Sequence, residues 1–282
     1  DEYQVSKEEQ LKANFGKRFR AKDITIRRVL SAISRRVISA PDLFAWKYSE
    51  RSRLNKRTLS NLYNIHKGEV CYLIANGPSI SKMDLSVLKG KIVFAMNRAY
   101  LLRDKYPFIP TYYSAVNELV LNQFAEDVRM LDVPKFLNWR CRKLFVGDTK
   151  AIFVYTKYSI NDNFTGDLLL PISLGGTVTV ATLQIIYFMG FKKVVIIGLD
   201  HNFSEKGTPN KIEIRPNTKD NSHFHPNYFP PGTKWELPDL YRSELAYQQA
   251  KIGYENDGRI IIDATVEGKC NVFSKGEFKN HL

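Results

Sequence analysis

The chain has 282 residues, of which 44% are hydrophobic and 25% charged, an ordinary composition for a soluble globular protein and not that of a fibrous or disordered one. Its 42 Lys and Arg against 29 Asp and Glu give a net charge of +13, which favours an anionic partner such as nucleic acid, an anionic membrane surface or an anionic substrate. Three distant cysteines, Cys71, Cys141 and Cys270, form no metal-ligand pattern and indicate a reducing compartment. Because the sequence shows no long apolar run and no signal-peptide pattern, we expect a cytoplasmic protein.

Residues 1–67 are predicted to form a basic helical N-terminal extension. The run Ile24–Ile38 has apolar residues at helical spacing and arginines elsewhere around the helix. The pattern is typical of a helix that lies on anionic lipid or near a lipid-linked substrate, and also of a helix packed on the main domain with a solvated basic face. The apolar positions are Ile26, Val29, Leu30, Ile33 and Val37, and the arginines are Arg27, Arg28, Arg35 and Arg36.

Residues 68–282 are predicted to form one nucleotide-binding domain that begins with a strand and a polar loop. Val70–Ala75 is a short apolar run typical of a buried parallel strand, and Asn76-Gly77-Pro78-Ser79 ends it, because these residue types favour turns. A short helix and a second apolar strand, Ile92–Met96, follow and end in Asn97. In α/β sheets ligands bind at such loops, at the carboxyl ends of the strands.

The remaining elements alternate in the same way, which predicts an α/β fold with a Rossmann-like, mostly parallel sheet flanked by helices. Residues 201–238 are polar, rich in proline and without periodicity, which is typical of a functional lid or a disordered loop. Further strands are predicted at 110–117, 135–139, 151–155, Lys193–Leu199 and 259–263, and helices at 99–106, 119–131, Val178–Met189 and 238–257.

Asparagines follow three successive predicted strands, at Asn76, Asn97 and Asn117. An uncharged amide both donates and accepts hydrogen bonds, which suits a base, a ribose or a sugar hydroxyl. One asparagine after a strand is usually turn chemistry, but three at successive strand ends favour a ligand site. The backbone N–H groups of Gly77 and Ser79, at a predicted helix start, are suited to a phosphate.

A second glycine-rich loop, Gly175-Gly176-Thr177, precedes the apolar helix and is either an anion site or a helix N-cap. Neither loop matches the sequence patterns of the ATP phosphate loop or of the NAD-binding loop. Asp200 and His201 follow the clearest buried strand and complete the set of polar residues at strand ends.

Three histidines, His201, His223 and His225, lie in or beside the predicted lid. A metal site at His223 and His225 is disfavoured because no Cys or Glu stands nearby, so a general base is the better functional interpretation, with exposed loop histidines as the alternative. The sequence has no Asp-x-Asp pair, which nucleotide-diphosphate sugar enzymes often use to hold a cation. A nucleotide-monophosphate donor can be activated by hydroxyls instead, and Tyr228 and Tyr241 are candidates, with packing as the alternative role of a tyrosine in a proline-rich loop.

The stretch Leu73–Asp84 (LIANGPSISKMD) resembles the first loop of the bacterial family-42 sialyltransferases. It is still more similar to the related motility-associated and surface-polysaccharide family known as domain of unknown function 115, or MptE-like. The sialyltransferases also have a lid segment similar to Asp220-Asn221-Ser222-His223 here. Other shared elements are Gly175-Gly176-Thr177-Val178, the helix Ala181–Met189, Gly198-Leu199-Asp200 and Asp263-Ala264-Thr265.

This resemblance implies a single Rossmann-like domain of the GT-A-variant type and an inverting, metal-independent glycosyltransferase with no cofactor. The donor would be a CMP-activated acidic sugar, and sialic acid, pseudaminic acid, legionaminic acid and Kdo all fit. The acceptor would be a glycan or lipid-linked glycan in bacterial surface polysaccharide or glycoprotein biosynthesis. Together with the basic N-terminal segment, such an acceptor implies a protein that binds peripherally to the inner face of the cytoplasmic membrane.

The resemblance also implies roles for individual residues. In the sialyltransferases the asparagines that match Asn76 and Asn97 hold the donor, and the lid histidine removes the acceptor proton. That histidine falls where this sequence has Asn227, so His225 and His223 are both candidate bases, and Tyr228 is the nearest counterpart of the tyrosines that activate the phosphate. The predicted donor-binding residues are Asn76, Gly77, Pro78, Ser79, Asn97, Asn117, Ser173, Gly175, Gly176, Thr177, Asp200 and His201.

Two other classes of function stay open. The MptE-like relatives include a pterin diphosphokinase, which needs ATP and Mg²⁺ held by carboxylates, whereas the strand-end residues here are asparagines. The net charge also suggests a nucleic-acid-binding protein, but the sequence has no helix-turn-helix, RNP or zinc-finger pattern, so we expect no nucleic-acid partner. The sequence does not decide the oligomeric state.

Overall fold

The computed structural model describes residues 26–106, 109–157, 162–205 and 207–282. Its helices are α1 (Ile26–Tyr48), α2 (Glu50–Leu62), α3 (Glu118–Arg129), α4 (Val178–Phe188) and α5 (Leu240–Asn256). Its strands are β1 (Val70–Ile74), β2 (Val93–Met96), β3 (Tyr112–Ala115), β4 (Lys135–Asn138), β5 (Ala151–Val154), β6 (Thr156–Lys157), β7 (Ile172–Ser173), β8 (Lys193–Ile197), β9 (Ile212–Ile214), β10 (Lys234–Glu236), β11 (Ile260–Asp263) and β12 (Ser274–Lys275). Within these ranges, none of the helices is both long and apolar enough to cross a membrane.

Eight of the strands form one parallel sheet in the order β12-β11-β8-β1-β2-β3-β4-β5. Strands buried on both faces require nearly continuous apolar sequence, and Cys71–Ile74 of β1 and Val194–Ile197 of β8 are fully buried. The aromatic rings of Phe94, Tyr112 and Phe136 pack across β2, β3 and β4. The structure confirms the predicted α/β class and the Rossmann-like sheet.

The direction in which strands are added reverses at the centre of this sheet. Strands β1 to β5 follow one another outward in one direction, whereas β8 pairs with the other edge of β1 and is followed by β11 and β12. In open α/β sheets, ligands bind in the crevice outside the carboxyl ends of the strands at such a reversal. The loops that begin at Ala75, after β1, and at Gly198, after β8, border this crevice.

The strands predicted from apolar runs are confirmed to within two residues, and so are α3, α4 and α5. Two predicted helices are 3₁₀ helices instead. The helix after β1 is replaced by short 3₁₀ segments at Pro78–Lys82 and Ser86–Leu88, and the helix predicted at 99–106 is a 3₁₀ segment at Asn97–Asp104. Short connections of this kind often take the tighter 3₁₀ form.

Residues 201–238, which we call the lid, contain a small antiparallel hairpin that the sequence analysis missed. Strand β9 pairs with β10, and each has only three residues, too few for an alternating pattern to be recognised. The described residues of the lid pack against the first turns of α3, so they form an ordered element rather than a loop without structure. The apolar cluster at this contact contains Val120, Tyr228, Phe229, Trp235 and Leu237.

By the contacts among its residues, the chain divides into the units Asp1–Arg53 and Leu54–Leu282. The predicted N-terminal helix belongs to the first unit, where α1 includes Pro41. Of the predicted apolar face, Val37 is exposed. The other side chains of that pattern lie outside the described residues, namely Ile26, Val29, Leu30, Ile33, Arg27, Arg28, Arg35 and Arg36.

Candidate functional site

A pocket of about 200 Å³ lies at the carboxyl ends of β1, β2, β3 and β8. The loops after these strands contribute residues 75–77, 96–97, 117 and 198–203. The N-terminus of α4, at residues 176–179, forms a further wall, and the lid contributes the remaining side together with part of α5. The pocket therefore occupies the crevice at the reversal of strand order.

The amide oxygens of Asn76 and Asn97 are buried, and neither has a hydrogen-bond partner among the described residues. Both asparagines line the pocket. A buried polar atom without a hydrogen-bond partner lowers the stability of the fold by about 1–3 kcal/mol. Such atoms are therefore found mainly where a ligand or a water molecule supplies the missing hydrogen bond. Asn97 has a positive φ of 47°, which asparagine tolerates better than most residues, and its carbonyl accepts a hydrogen bond from the hydroxyl of Tyr113. These two oxygens can accept hydrogen bonds from a ligand in the pocket.

Asp200 joins the loop after β8 to the loop after β1. Its Oδ1 accepts a hydrogen bond from the backbone N–H of Ser79 at 3.1 Å, and its Oδ2 accepts one from Ser79 Oγ at 2.7 Å. A Cβ atom on Gly77 would lie 1.8 Å from Asp200 Oδ2 and 2.7 Å from the carbonyl oxygen of Gly198, so the close approach of the two loops requires glycine. Burial raises the pKa of Asp200 above its ordinary value, although the bonds from Ser79 act in the other direction.

His223 lines the pocket and is oriented by a buried carboxylate. Its Nδ1 lies 3.0 Å from Oδ2 and 3.1 Å from Oδ1 of Asp220. Its ring stacks on the ring of Tyr228, with the centroids 4.0 Å apart and the planes 1° from parallel. A carboxylate at Nδ1 selects the tautomer whose Nε2 accepts a proton, as in a catalytic triad. His223 is therefore held in the orientation that a general base needs.

A buried ionic network surrounds Asp220. Arg215 Nη2 lies 3.5 Å from Asp220 Oδ1, and Arg215 Nη1 lies 2.5 Å from Glu205 Oε1, while the side chain of Ser222 donates to Glu205. Burial acts to raise the pKa of Asp220, but the contacts with His223 and Arg215 outweigh it and hold the pKa below its ordinary value. In the same way, burial of Glu205 is outweighed by its bonds from Ser222 and Arg215, and its pKa is lowered. Both carboxylates are therefore charged at neutral pH.

Arg98, in the loop after β2, forms hydrogen bonds with the lid. Its side chain is only 7% exposed, and its guanidinium donates to the backbone carbonyls of Asn227, at 3.0 Å, and of Tyr228. The guanidinium also lies 3.9 Å from the centre of the Phe124 ring, close enough for a cation–π contact. Arg98 was not predicted as a site residue, because an arginine after a strand is usually exposed. Its position next to Asn97 was the one signal that could have pointed to it.

The N-terminus of α4 is capped by Thr177, whose Oγ1 accepts a hydrogen bond from the backbone N–H of Thr179 at 3.3 Å. The N-cap interpretation of this loop is thus correct. Arg242 packs beside Gly176 and pairs with Asp162 through two bonds of 2.6 and 2.8 Å. The N–H groups at the start of a helix also favour an anion, so a cap and an anion site are compatible here.

Most of the predicted site residues come together in the pocket, but not all of them. Asn117 is the N-cap of α3, where its Oδ1 accepts from the N–H of Leu119 at 2.8 Å, and His225 accepts from the N–H of Asn227 at 3.2 Å. Predicted residues that line the pocket are Asn76, Gly77, Asn97, Asn117, Gly176, Thr177, Asp200, His201, His223 and Tyr228. Those outside its lining are Pro78, Ser79, Ser173, Gly175 and His225.

His201 and Tyr228, two of the predicted site residues, have side chains that contact other parts of the protein. His201 has a positive φ of 53°, and its Nε2 lies 3.2 Å from Glu244 Oε1, so its side chain is engaged by α5. The hydroxyl of the buried Tyr228 accepts a hydrogen bond from the N–H of Arg98 at 3.3 Å, and burial raises its pKa. Of the two candidate bases, His223 is the one in the pocket.

The chain is similar to the solved structure of the MAf glycosyltransferase from Magnetospirillum magneticum AMB-1, with 14% sequence identity and a TM-score of 0.47 over 79% of this chain. It spans 38% of the length of that protein. No curated protein matches. The sequence model of the family described as 6-hydroxymethylpterin diphosphokinase MptE-like matches residues 48–206, which include Asn76, Asn97 and Asp200 and end within the lid before His223. This match covers more than half of the chain, and the protein belongs to the MptE-like family.

Proposed function

We propose that this protein is a glycosyltransferase that moves an acidic, sialic acid-like sugar or Kdo from a CMP-sugar to a glycan hydroxyl, with inversion and without a metal ion. The observation that carries the proposal is the composition of the pocket. It combines the amide oxygens of Asn76 and Asn97, which have no hydrogen-bond partner in the part of the chain that the structure describes, with the imidazole of His223, which Asp220 orients. Amide oxygens bind neutral polar parts of a ligand, and an imidazole takes a proton from an attacking hydroxyl.

In this proposal the two asparagines hold the nucleoside of the donor. Their oxygens accept hydrogen bonds, and the ribose hydroxyls and the amino group of cytosine are donors of the right kind. The N-terminus of α4, at Gly176 and Thr177, binds the phosphate or the sugar carboxylate through its N–H groups. The bonds between Asp200 and Ser79 keep the loop that contains Asn76 in place.

His223 acts as the general base. Its Nε2 removes the proton of the acceptor hydroxyl while that oxygen forms a bond to the anomeric carbon. The bond between this carbon and the phosphate oxygen breaks, and CMP leaves with the electron pair through an oxocarbenium-like transition state. General-base catalysis of this kind contributes about 10²- to 10⁴-fold to the rate. The lid excludes water, which would otherwise hydrolyse the donor.

A pterin diphosphokinase is the second candidate, because the description of the matching family names that activity. Such an enzyme needs Mg²⁺ on carboxylates and the phosphates of ATP, and His223 would deprotonate the pterin hydroxyl. Here, however, both carboxylate oxygens of Asp200 accept hydrogen bonds from Ser79, and the neighbouring strand ends have asparagines. These contacts favour the glycosyltransferase.

A thermal-shift series separates the two candidates. The purified protein is heated with CMP, CDP, UDP, GDP or ATP, each with and without Mg²⁺, because a ligand that binds the folded state raises its stability. We expect CMP to raise the melting temperature without Mg²⁺, and CMP-sialic acid and CMP-Kdo would be tested next. A shift with ATP that requires Mg²⁺ would support the diphosphokinase. No shift with any nucleotide would contradict both functions.

A further inference from the structure

Helix α1 has an exposed apolar face. Val37, Phe44 and Tyr48 are separated by seven and four residues, a spacing that places them on one side of a helix. They are 66%, 66% and 65% exposed, and the neighbouring Ile38 is 75% exposed. The rings of Phe44 and Tyr48 contact each other, with their centroids 4.8 Å apart. Contiguous apolar surface of this kind ordinarily marks an interaction site.

The same helix is strongly basic, which limits the kind of partner that fits. Between Ile26 and Tyr48 the sequence has five basic residues and a single acidic one, Asp42. Two copies of such a helix would repel each other, and Pro41 on the apolar face disfavours close helix pairing. A nucleic acid would use the charge but not the apolar face. An anionic lipid surface uses both.

We infer that α1 binds the surface of an anionic membrane, with its axis parallel to the bilayer. Val37, Phe44 and Tyr48 would enter the boundary between headgroups and acyl chains, where a tyrosine ring is favoured because one end is apolar and the other polar. The exposed Lys47 would meet the lipid phosphates. The family match begins at residue 48, so all of this surface except Tyr48 lies outside the part of the chain shared with the family. The inference does not depend on the proposed transfer reaction.

Sedimentation of the full chain with lipid vesicles tests this inference. We expect binding to vesicles of phosphatidylcholine mixed with phosphatidylglycerol at low salt, less binding at high salt, and little binding to phosphatidylcholine alone. The double variant Phe44→Ser, Tyr48→Ser should lower the partition coefficient about tenfold or more, because two aromatic side chains no longer enter the apolar layer.

A matched control is Met130→Ser, Val146→Ser, two residues of the other unit that are 76% and 73% exposed. This control should bind as the unchanged protein does. A second variant, Val37→Ser, Ile38→Ser, should lose binding in the same way, so that the conclusion does not rest on the folding of one variant. No binding to the anionic vesicles, or equal binding by all variants, would overturn the inference. So would a dimer in solution that Phe44→Ser, Tyr48→Ser dissociates while vesicle binding is absent, because the face would then belong to a second copy.

Discussion

At the scale of single residues, the substitution of alanine for each of two pocket asparagines should affect stability differently. The oxygen of Asn76 is buried without a partner among the described residues, so Asn76→Ala removes an unfavourable term and should not lower the free energy of unfolding. Asn117 caps α3, so Asn117→Ala should lower it by about 1 kcal/mol. For CMP, we expect Asn76→Ala to raise Kd on the order of tenfold.

Urea unfolding and calorimetric titration with CMP measure these two quantities for both variants. A loss of stability in Asn76→Ala as large as that in Asn117→Ala would show that the Asn76 side chain supports the fold. An unchanged Kd for CMP in Asn76→Ala would contradict the role of Asn76 in the donor site.

The two lid histidines form a second matched pair, because they are two residues apart and only one lines the pocket. His223→Asn should lower kcat for sugar transfer by about 10²- to 10⁴-fold, since no group is left at that position to take the acceptor proton. His225→Asn should leave kcat nearly unchanged. CMP should bind both variants with the affinity of the unchanged protein. Equal losses of kcat in the two variants, or none in His223→Asn, would remove His223 from the role of base.

At the scale of elements, the ionic network makes the stability of the lid depend on pH. Despite burial, bonds from His223 and Arg215 hold the pKa of Asp220 below its ordinary value, which is about 4 for an aspartate. A carboxyl group whose pKa is lowered on folding stabilises the folded state above its unfolded-state pKa. That stabilisation is lost as the pH falls through the folded-state pKa. The pKa of Glu205 is also lowered on folding, so its stabilisation of the folded state is likewise lost as the pH falls.

The variant Asp220→Asn tests this dependence. At neutral pH it should cost about 3 kcal/mol, because Arg215 loses a buried partner. The difference in unfolding free energy between the two proteins should begin to shrink as the pH falls below about 4, the unfolded-state pKa, and should shrink further until the pH has passed the lowered folded-state pKa. Urea unfolding at a series of pH values measures that difference. A difference that stays constant down to pH about 2 would show that Asp220 contributes no charge-dependent stability.

At the scale of the whole molecule, the sheet follows from the sequence far better than the lid does. Strand β8 was predicted correctly because four consecutive β-branched apolar residues, Val194–Ile197, precede Gly198, and a buried parallel strand requires such a run. The hairpin of β9 and β10 was missed because three residues carry too little pattern. The choice of His223 over His225 could not be made either, since it depends on the contacts with Asp220 and Tyr228, which exist only after folding.

The central position of β1 has a consequence for the synthesis of the chain. Strand β1 pairs with β2 on one edge and with β8 on the other, and β8 begins only at Lys193. A ribosome makes the N-terminal part first, so β1 to β5 emerge while one edge of β1 still has no neighbour. An apolar strand with an open edge is prone to pair with other chains. Because the pocket needs the loops after both β1 and β8, any ligand of this pocket can bind only after β8 has paired, and it cannot protect the nascent chain during this interval.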